Sequence, residues 1–463
     1  MNFKALRDVS SRRVTDAAQR HGWLRLAPLT LACAVLAACE SEGGRVRPPS
    51  TDVSVIHVAE SFGNLEFRRV ERLEGTLSYR SSQVFTWDSG PYTFNIDATI
   101  PGLNTPIRLH TFTADLTAGN DHSIVLTEAD GWLHELVLEA PRAELSETDA
   151  EIIIVNTAAG LETAVDVYIE PPGTVLAAAT PRGSVAFLES LPAAAIAPGE
   201  YELSLTQAGN PTSVVMVSDP FEIVASVRTT LSVIDGLTSA SPAAALVSSA
   251  GTDTPLSDRE LRAGIRVLNA MTSRDPIDVT VNNNFSPPLI PNAMFAAPTD
   301  YALVVPGEHT LQVTPAGNPG AIEVESTFRA FPGQRGTLFV RGDPGALAAL
   351  YSQDSQRLIR DIAEVTVYYG GTTVSGVDVF IVPPDTDLNT VAPTATLTET
   401  SALSFVYLGL GGYTITVRES GTQNVLAGPV AAGIGFEGGY GIVITNGASG
   451  SGMDVTLIDR FNL

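Results

Sequence analysis

Four times along the chain a short apolar run ends on a polar or aromatic side chain: Val55-Ile56-His57, Ile154-Val155-Asn156, Val267-Leu268-Asn269 and Thr366-Val367-Tyr368. Each is followed by a second apolar segment that carries one acid in its middle. Val165-Asp166-Val167-Tyr168-Ile169 recurs as Ile277-Asp278-Val279-Thr280-Val281 and Val377-Asp378-Val379-Phe380-Ile381, with Leu65-Glu66-Phe67 as a shorter form. The spacings from Glu66 to Asp166, Asp278 and Asp378 are 100, 112 and 100 residues. A turn signal then opens a stretch of strict alternation, the period-two pattern of a strand with one buried face. This stretch is Gly90-Pro91-Tyr92-Thr93-Phe94 in the first copy, then Pro198-Gly199-Glu200-Tyr201, Pro306-Gly307-Glu308-His309 and Gly411-Gly412-Tyr413 in the others.

Two further strands close each copy, near 123–126 and 136–138, 230–234 and 244–247, 337–340 and 348–351, and 441–445 and 455–458. About seven short strands in roughly 100 residues, punctuated by regular turns, predict an all-β fold of tandem immunoglobulin-like β-sandwich domains. The expected units are 51–140 (a divergent first copy), 148–251, 260–355 and 361–463. The inter-sheet cysteine pair and core tryptophan of true immunoglobulin domains are missing, so the likeness is one of architecture.

Residues 1–38 follow a different pattern. Lys4, Arg7, Arg12, Arg13, Arg20 and Arg25 precede an apolar run over 26–38 that ends in Leu36-Ala37-Ala38, directly before Cys39. This is the layout of a secretory signal, and the run is short of the roughly 20 residues needed to span a bilayer. It resembles the lipobox of bacterial lipoproteins. That resemblance implies cleavage after Ala38, acyl chains on Cys39 that insert in a membrane, and residues 39–50 as a flexible tether. With Glu40 rather than Asp after the cysteine, the expected location is the cell envelope, at the outer membrane in preference to the inner. The Arg12-Arg13 pair lies too far from the apolar run to read as a twin-arginine signal.

Removal of 1–38 lowers Lys+Arg from 27 to 21 and Asp+Glu from 51 to 49, moving the net charge from −24 to −28. That sign disfavours nucleic acid and anionic lipid surfaces as partners. Of two cysteines only Cys39 would remain, so no intrachain disulfide is expected.

The strand ending in Asn or His, the Val-Asp-Val-Tyr segment and the Pro-Gly-Glu-Tyr turn together resemble the bacterial repeat family called domain of unknown function 4397. The likeness is closest over 151–340, looser over 361–446 and faintest over 51–139. It implies an exported tandem β-sandwich protein and carries no known activity.

Candidate chemistry is sparse. Asp is disfavoured inside strands, so its return at Asp166, Asp278 and Asp378, with Glu66 in the first copy, calls for a reason. The reading favoured here is structural: the carboxylates accept hydrogen bonds from backbone N–H groups of a neighbouring loop, or from Asn156 and Asn269. Asp385-Thr386-Asp387-Leu388-Asn389 begins like a calcium loop, but Thr390 and Thr396 stand where an EF-hand needs Gly and Glu, so it reads as a solvated turn. Asn282-Asn283-Asn284 is likewise a turn run. His57, His110, His122, His134 and His309 show no zinc spacing, and no nucleophile elbow, phosphate loop or dinucleotide fingerprint occurs. Arg341-Gly342-Asp343 reads as a chance match to an adhesion tripeptide. No catalytic residue, cofactor or metal is expected. The chain reads as a non-catalytic, lipid-anchored envelope protein acting as a spacer, adhesive or module for an unknown envelope protein or glycan partner. The alternatives are a ligand-binding lipoprotein that stacks a sugar on Trp87, Tyr92 and Trp132, and a hydrolase with a cryptic loop-borne site built from residues such as His57 and Glu66.

Overall fold

The computed structural model describes residues 49–459 apart from 104, 143, 239–240 and 449–451, and these belong to one compact unit. The signal segment with Ala38 and Cys39 lies outside the described residues. Within them the only helix is a 3₁₀ turn, Leu176–Ala178, and no helix is long and apolar enough to cross a membrane.

The first repeat has eight strands: β1 Ser50–His57, β2 Leu65–Arg69, β3 Arg72–Leu77, β4 Ser81–Asp88, β5 Gly90–Ala98, β6 Ile107–Leu116, β7 Asn120–Ala129 and β8 Trp132–Pro141. They form two sheets, β4-β1-β7-β8 and β3-β2-β5-β6. β1 is antiparallel to β4 and parallel to β7. The same order recurs three times. The β1 equivalents are Ala150–Asn156, Ala263–Met271 and Ile362–Tyr369, each parallel to a β7 equivalent, Arg228–Thr238, Arg335–Asp343 and Gly438–Asn446. The second repeat adds an edge strand, Thr252–Leu256, beside its eighth. This order differs from the seven-stranded immunoglobulin arrangement: the first strand lies beside the seventh and the fourth in one sheet. The acid-bearing segments are the β2 equivalents, and the Pro-Gly-Glu-Tyr turns open the β5 equivalents.

Each sandwich has its own apolar core between its sheets. That of the first repeat is aromatic: Phe67, Phe85, Trp87, Phe94 and Phe112 lie with neighbouring ring centroids about 5–6 Å apart. The repeats are not beads on a string. The outer face of the β4-β1-β7-β8 sheet packs back to back on the equivalent sheet of the second repeat. There Ile56, Val58 and Val125 meet Val155, Ile234, Ala244 and Leu246 in a core shared by the two sandwiches. Leu268, Ala270 and Phe339 of the third repeat join the core of the fourth in the same way, with the Phe339 and Tyr368 rings 5.1 Å apart. Strands covered on both faces read as unbroken apolar runs rather than alternation. All nine residues of Ala263–Met271 are buried, as are all but the last of Gly438–Asn446.

Candidate functional site

The recurrent acids are built into the turn that follows the β5 equivalent. Asp166 Oδ2 accepts the Gly209 N–H at 2.7 Å and its Oδ1 accepts the Ser184 hydroxyl. Asp278 accepts two backbone N–H groups at 2.8 Å, from Asn292 and Gly317. Asp378 accepts the Gly421 N–H at 3.0 Å and the hydroxyls of Thr396 and Ser420. The three glycines have φ of +75°, +74° and +72°, the left-handed conformation in which a glycine is unstrained. Each carboxylate thus joins three segments: its own strand, the neighbouring β3 equivalent, and the turn after the β5 equivalent. Around Asp378, burial raises the carboxyl pKa, but the Gly421, Thr396 and Ser420 hydrogen bonds outweigh it and hold the group below its ordinary value. The acceptor geometry leaves no role for Asn156 or Asn269 in these contacts. Glu66 is different: its oxygens take the Arg68 guanidinium and the Thr99 hydroxyl, and no turn N–H.

Asn156, Asn269 and His57 perform one shared task where the first strand ends. Asn156 Oδ1 accepts the Ala158 N–H and its amide donates to the Val185 carbonyl. Asn269 Oδ1 accepts the Met271 N–H and donates to the Asp275 and Ala293 carbonyls. His57 Nδ1 accepts the Ala59 N–H at 3.3 Å, while Nε2 lies 3.0 Å from the Gly63 carbonyl and donates to it as the Nε2-protonated tautomer. The ring is fully buried, and burial, aided by the nearby Arg357 charge, pushes its pKa down to about 3. Both ring nitrogens are committed to the backbone, so His57 and Glu66 do not converge on a reacting centre.

At the β4–β5 corner the Tyr92, Tyr201 and Tyr413 hydroxyls donate to the carbonyls four residues earlier, Asp88, Ala197 and Gly409, at 2.7–2.8 Å. His309 does the same through Nε2 to Val305 at 2.7 Å, while its Nδ1 accepts from the Asn282 amide. These are tyrosine corners in the sense known from other sandwiches, with His as a substitute in the third repeat.

The remaining sequence candidates also have structural tasks. Trp87 is 8% exposed and stacked in the first core, and the Tyr92 hydroxyl is held at the corner. Trp132 alone is exposed, at 71%, so the three do not form a stacking platform. Arg341 of the Arg-Gly-Asp triplet is buried and donates to the Glu399 and Gly371 carbonyls between the third and fourth repeats. In the 385–389 turn Asp387 Oδ1 accepts the Asn389 N–H. Asn282 and Asn283 sit at positive φ, where Asn is tolerated. Among the described residues no group of three or more His, Cys, Asp or Glu is placed to hold a metal.

One feature escaped sequence reasoning altogether: the junction formed where the linker 355–361 crosses the first repeat. Arg357 donates to the carbonyls of Glu60, at 3.0 and 2.7 Å, and Phe62, at 2.7 Å, and its guanidinium lies 4.0 Å from the Tyr79 ring centroid. Arg360 donates its N–H to Ser61 O and its Nη2 to Gly131 O, and covers the Phe62 ring at 4.8 Å. Two linker arginines thereby clamp the β1–β2 loop of the first repeat to the start of the fourth.

The fold and these sites define a tandem eight-stranded β-sandwich protein whose repeated polar residues lock its own turns. Residues 263–380 match the family model of the Domain of unknown function (DUF4397), a span that covers the third sandwich and ends within the second strand of the fourth. No curated protein matches the chain. A solved structure, the Bacillus anthracis TIE protein, aligns at 10% identity over 86% of this chain and 68% of that one, with a TM-score of 0.16, which carries no argument about fold or function.

Proposed function

We propose that this is a non-catalytic, lipid-anchored envelope protein that presents a preassembled surface to an extracellular or periplasmic partner. The observation that carries it is the use of the recurrent polar residues. Asp166, Asp278, Asp378, His57, Asn156 and Asn269 are all spent on backbone groups of the chain itself. Sandwiches fused through shared cores suit a binding body better than a flexible spacer, because fused units hold a surface ready for its partner at little ordering cost. The lipobox-like Leu36-Ala37-Ala38-Cys39 supports anchoring, since two or more acyl chains hold a protein stably on a bilayer.

The test is fractionation of cells producing wild type or Cys39→Ala, with protease treatment of intact cells. Anchoring predicts wild type in the membrane fraction and the variant released. Equal fractionation of the two would remove the anchored reading, and protection of anchored wild type from protease would direct the search to periplasmic partners.

A further inference from the structure

We propose that the cavity where the first three repeats and the 355–361 linker meet binds a small ligand carrying an oxyanion group, with Arg80 as the residue that meets the charge. The cavity has a volume of about 500 Å³, within the range of small-molecule sites. Its lining combines the apolar surfaces of Phe331 and Pro332 with the amides of Gln334, Gln353 and Gln356, a mixture suited to a compact polar body such as a sugar acid.

Arg80 is brought there by the β3–β4 turn, where it takes φ of +58° and its N–H donates to the His57 carbonyl at 2.8 Å. A non-glycine residue in that conformation is uncommon, and such positions concentrate at functional sites. Its Nε and Nη2 are enclosed and have no carboxylate or carbonyl partner among the described residues, and the Arg80 side chain meets the neighbouring Tyr79 hydroxyl. Arg357 lies over the same Tyr79 ring at 4.0 Å and Arg80 at 5.2 Å, so two guanidinium groups attend one phenol beside the cavity. Arg80 is half-buried and lines the cavity; enclosed guanidinium donors without a charged acceptor are costly, and an oxyanion in the cavity would receive them once the side chain turns towards it.

The nearby carboxylates do not supply what is lacking. Asp354 is taken up by Arg266 and by the hydroxyls of Thr337 and Tyr301. Asp219 is exposed at the rim. Glu60 lies in the adjacent cleft with Glu128 and Asp235 and is near enough to feel the Arg80 and Arg357 charges, but burial and Asp235 outweigh them and raise its carboxyl, so it competes for Arg80 only as a weak counter-charge. The net charge of −24 repels large polyanions, which confines the site to ligands small enough to enter and meet Arg80 at close range.

The experiment is calorimetric titration of the purified full-length protein with glucuronate, with glucose as the neutral counterpart and with sulfate and phosphate, on wild type, Arg80→Gln and Glu60→Gln. Binding of glucuronate but not glucose, weakened about tenfold or more by Arg80→Gln and tightened by Glu60→Gln, supports the site. Equal binding of sulfate and glucuronate also supports it and shows that the charge alone is recognised. If wild type takes up no oxyanion, or Arg80→Gln binds as wild type does, the proposal fails. Should Arg80→Gln not fold, Glu60→Gln decides: unchanged affinity there overturns it.

Discussion

His57 stands where two other repeats use Asn, and the exchange adds a titratable group where those two have none. Its pKa, held near 3 by burial and by Arg357, lies below the ordinary 6.5, so between these values the unfolded chain binds the extra proton. Stability therefore rises with pH across that window: the contribution is fully present above pH 6.5 and lost progressively as pH falls towards 3, to a limit of about 4–5 kcal/mol. Glu60 and Asp235 act in the opposite direction, because burial raises both carboxyls and protonation then favours the folded protein. Comparing wild type with His57→Asn cancels the two acids. Asn meets the same need for one acceptor and one donor, so the variant should lose less stability than wild type between pH 7 and 4.5. Urea midpoints at the two pH values measure this, and equal losses would contradict the assignment.

At the scale of elements, the Asp of the second, third and fourth β2 equivalents fixes the approach of the turn beyond the β5 equivalent, and the three versions differ in a way that chemistry can test. Asp166 faces one N–H and one hydroxyl, and the Ser184 hydroxyl can accept as well as donate. An Asn there can direct its carbonyl to Gly209 and its amide to Ser184. Asp278 faces two backbone N–H groups, so an Asn must set a donor against a donor. Asp166→Asn is expected to cost under about 1 kcal/mol and Asp278→Asn about 1–3 kcal/mol in equilibrium unfolding; equal costs would show that the carboxylate charge, rather than its acceptor geometry, matters.

The chain announced these acids because Asp inside an apolar strand violates β-propensity in three of the four copies. The turns that carry the tyrosine corners were visible as Gly-Pro-Tyr, Pro-Gly-Glu-Tyr and Gly-Gly-Tyr, though the corner hydrogen bonds were not. The β3, β4 and β6 equivalents were not legible. Ser190–Ile196 is rich in Ala, Ala302–Val304 has only three residues, and the Val214–Val217 and Phe221–Ile223 pair is broken by a proline, so none presents a long alternating pattern. The parallel pairing of first and seventh strands joins residues some 70 apart and leaves no local trace.

For the whole molecule, the pairing of repeats was written in the sequence but needs a second layer to be read. Ile152-Ile153-Ile154-Val155 and Ile442-Val443-Ile444 are apolar at both parities, which a sandwich with one wet face does not require. The covering layer is the neighbouring repeat. The linker clamp was not readable, since Arg357 and Arg360 look like solvated charges until Tyr79, Phe62 and the 59–63 loop are brought to them.

That clamp bears on how the paired sandwiches behave as one body. The shared cores join first to second and third to fourth, whereas the first and fourth meet through the linker and the loops it holds. Arg357 supplies three hydrogen bonds and a ring contact to that seam, and each carbonyl it leaves behind would lose a charge-assisted donor. Arg357→Ala should therefore leave the sandwiches folded, with unchanged far-ultraviolet circular dichroism, while opening the linker. Limited proteolysis should then cut within 355–361 faster than in wild type, giving one fragment with the first three repeats and one with the fourth, because local opening exposes backbone without global unfolding. Cleavage at the wild-type rate would mean that Arg360, with Ile359 and Ile362 packed near Gly63, holds the seam without Arg357, and that Arg357 answers to the adjoining cavity rather than to the assembly.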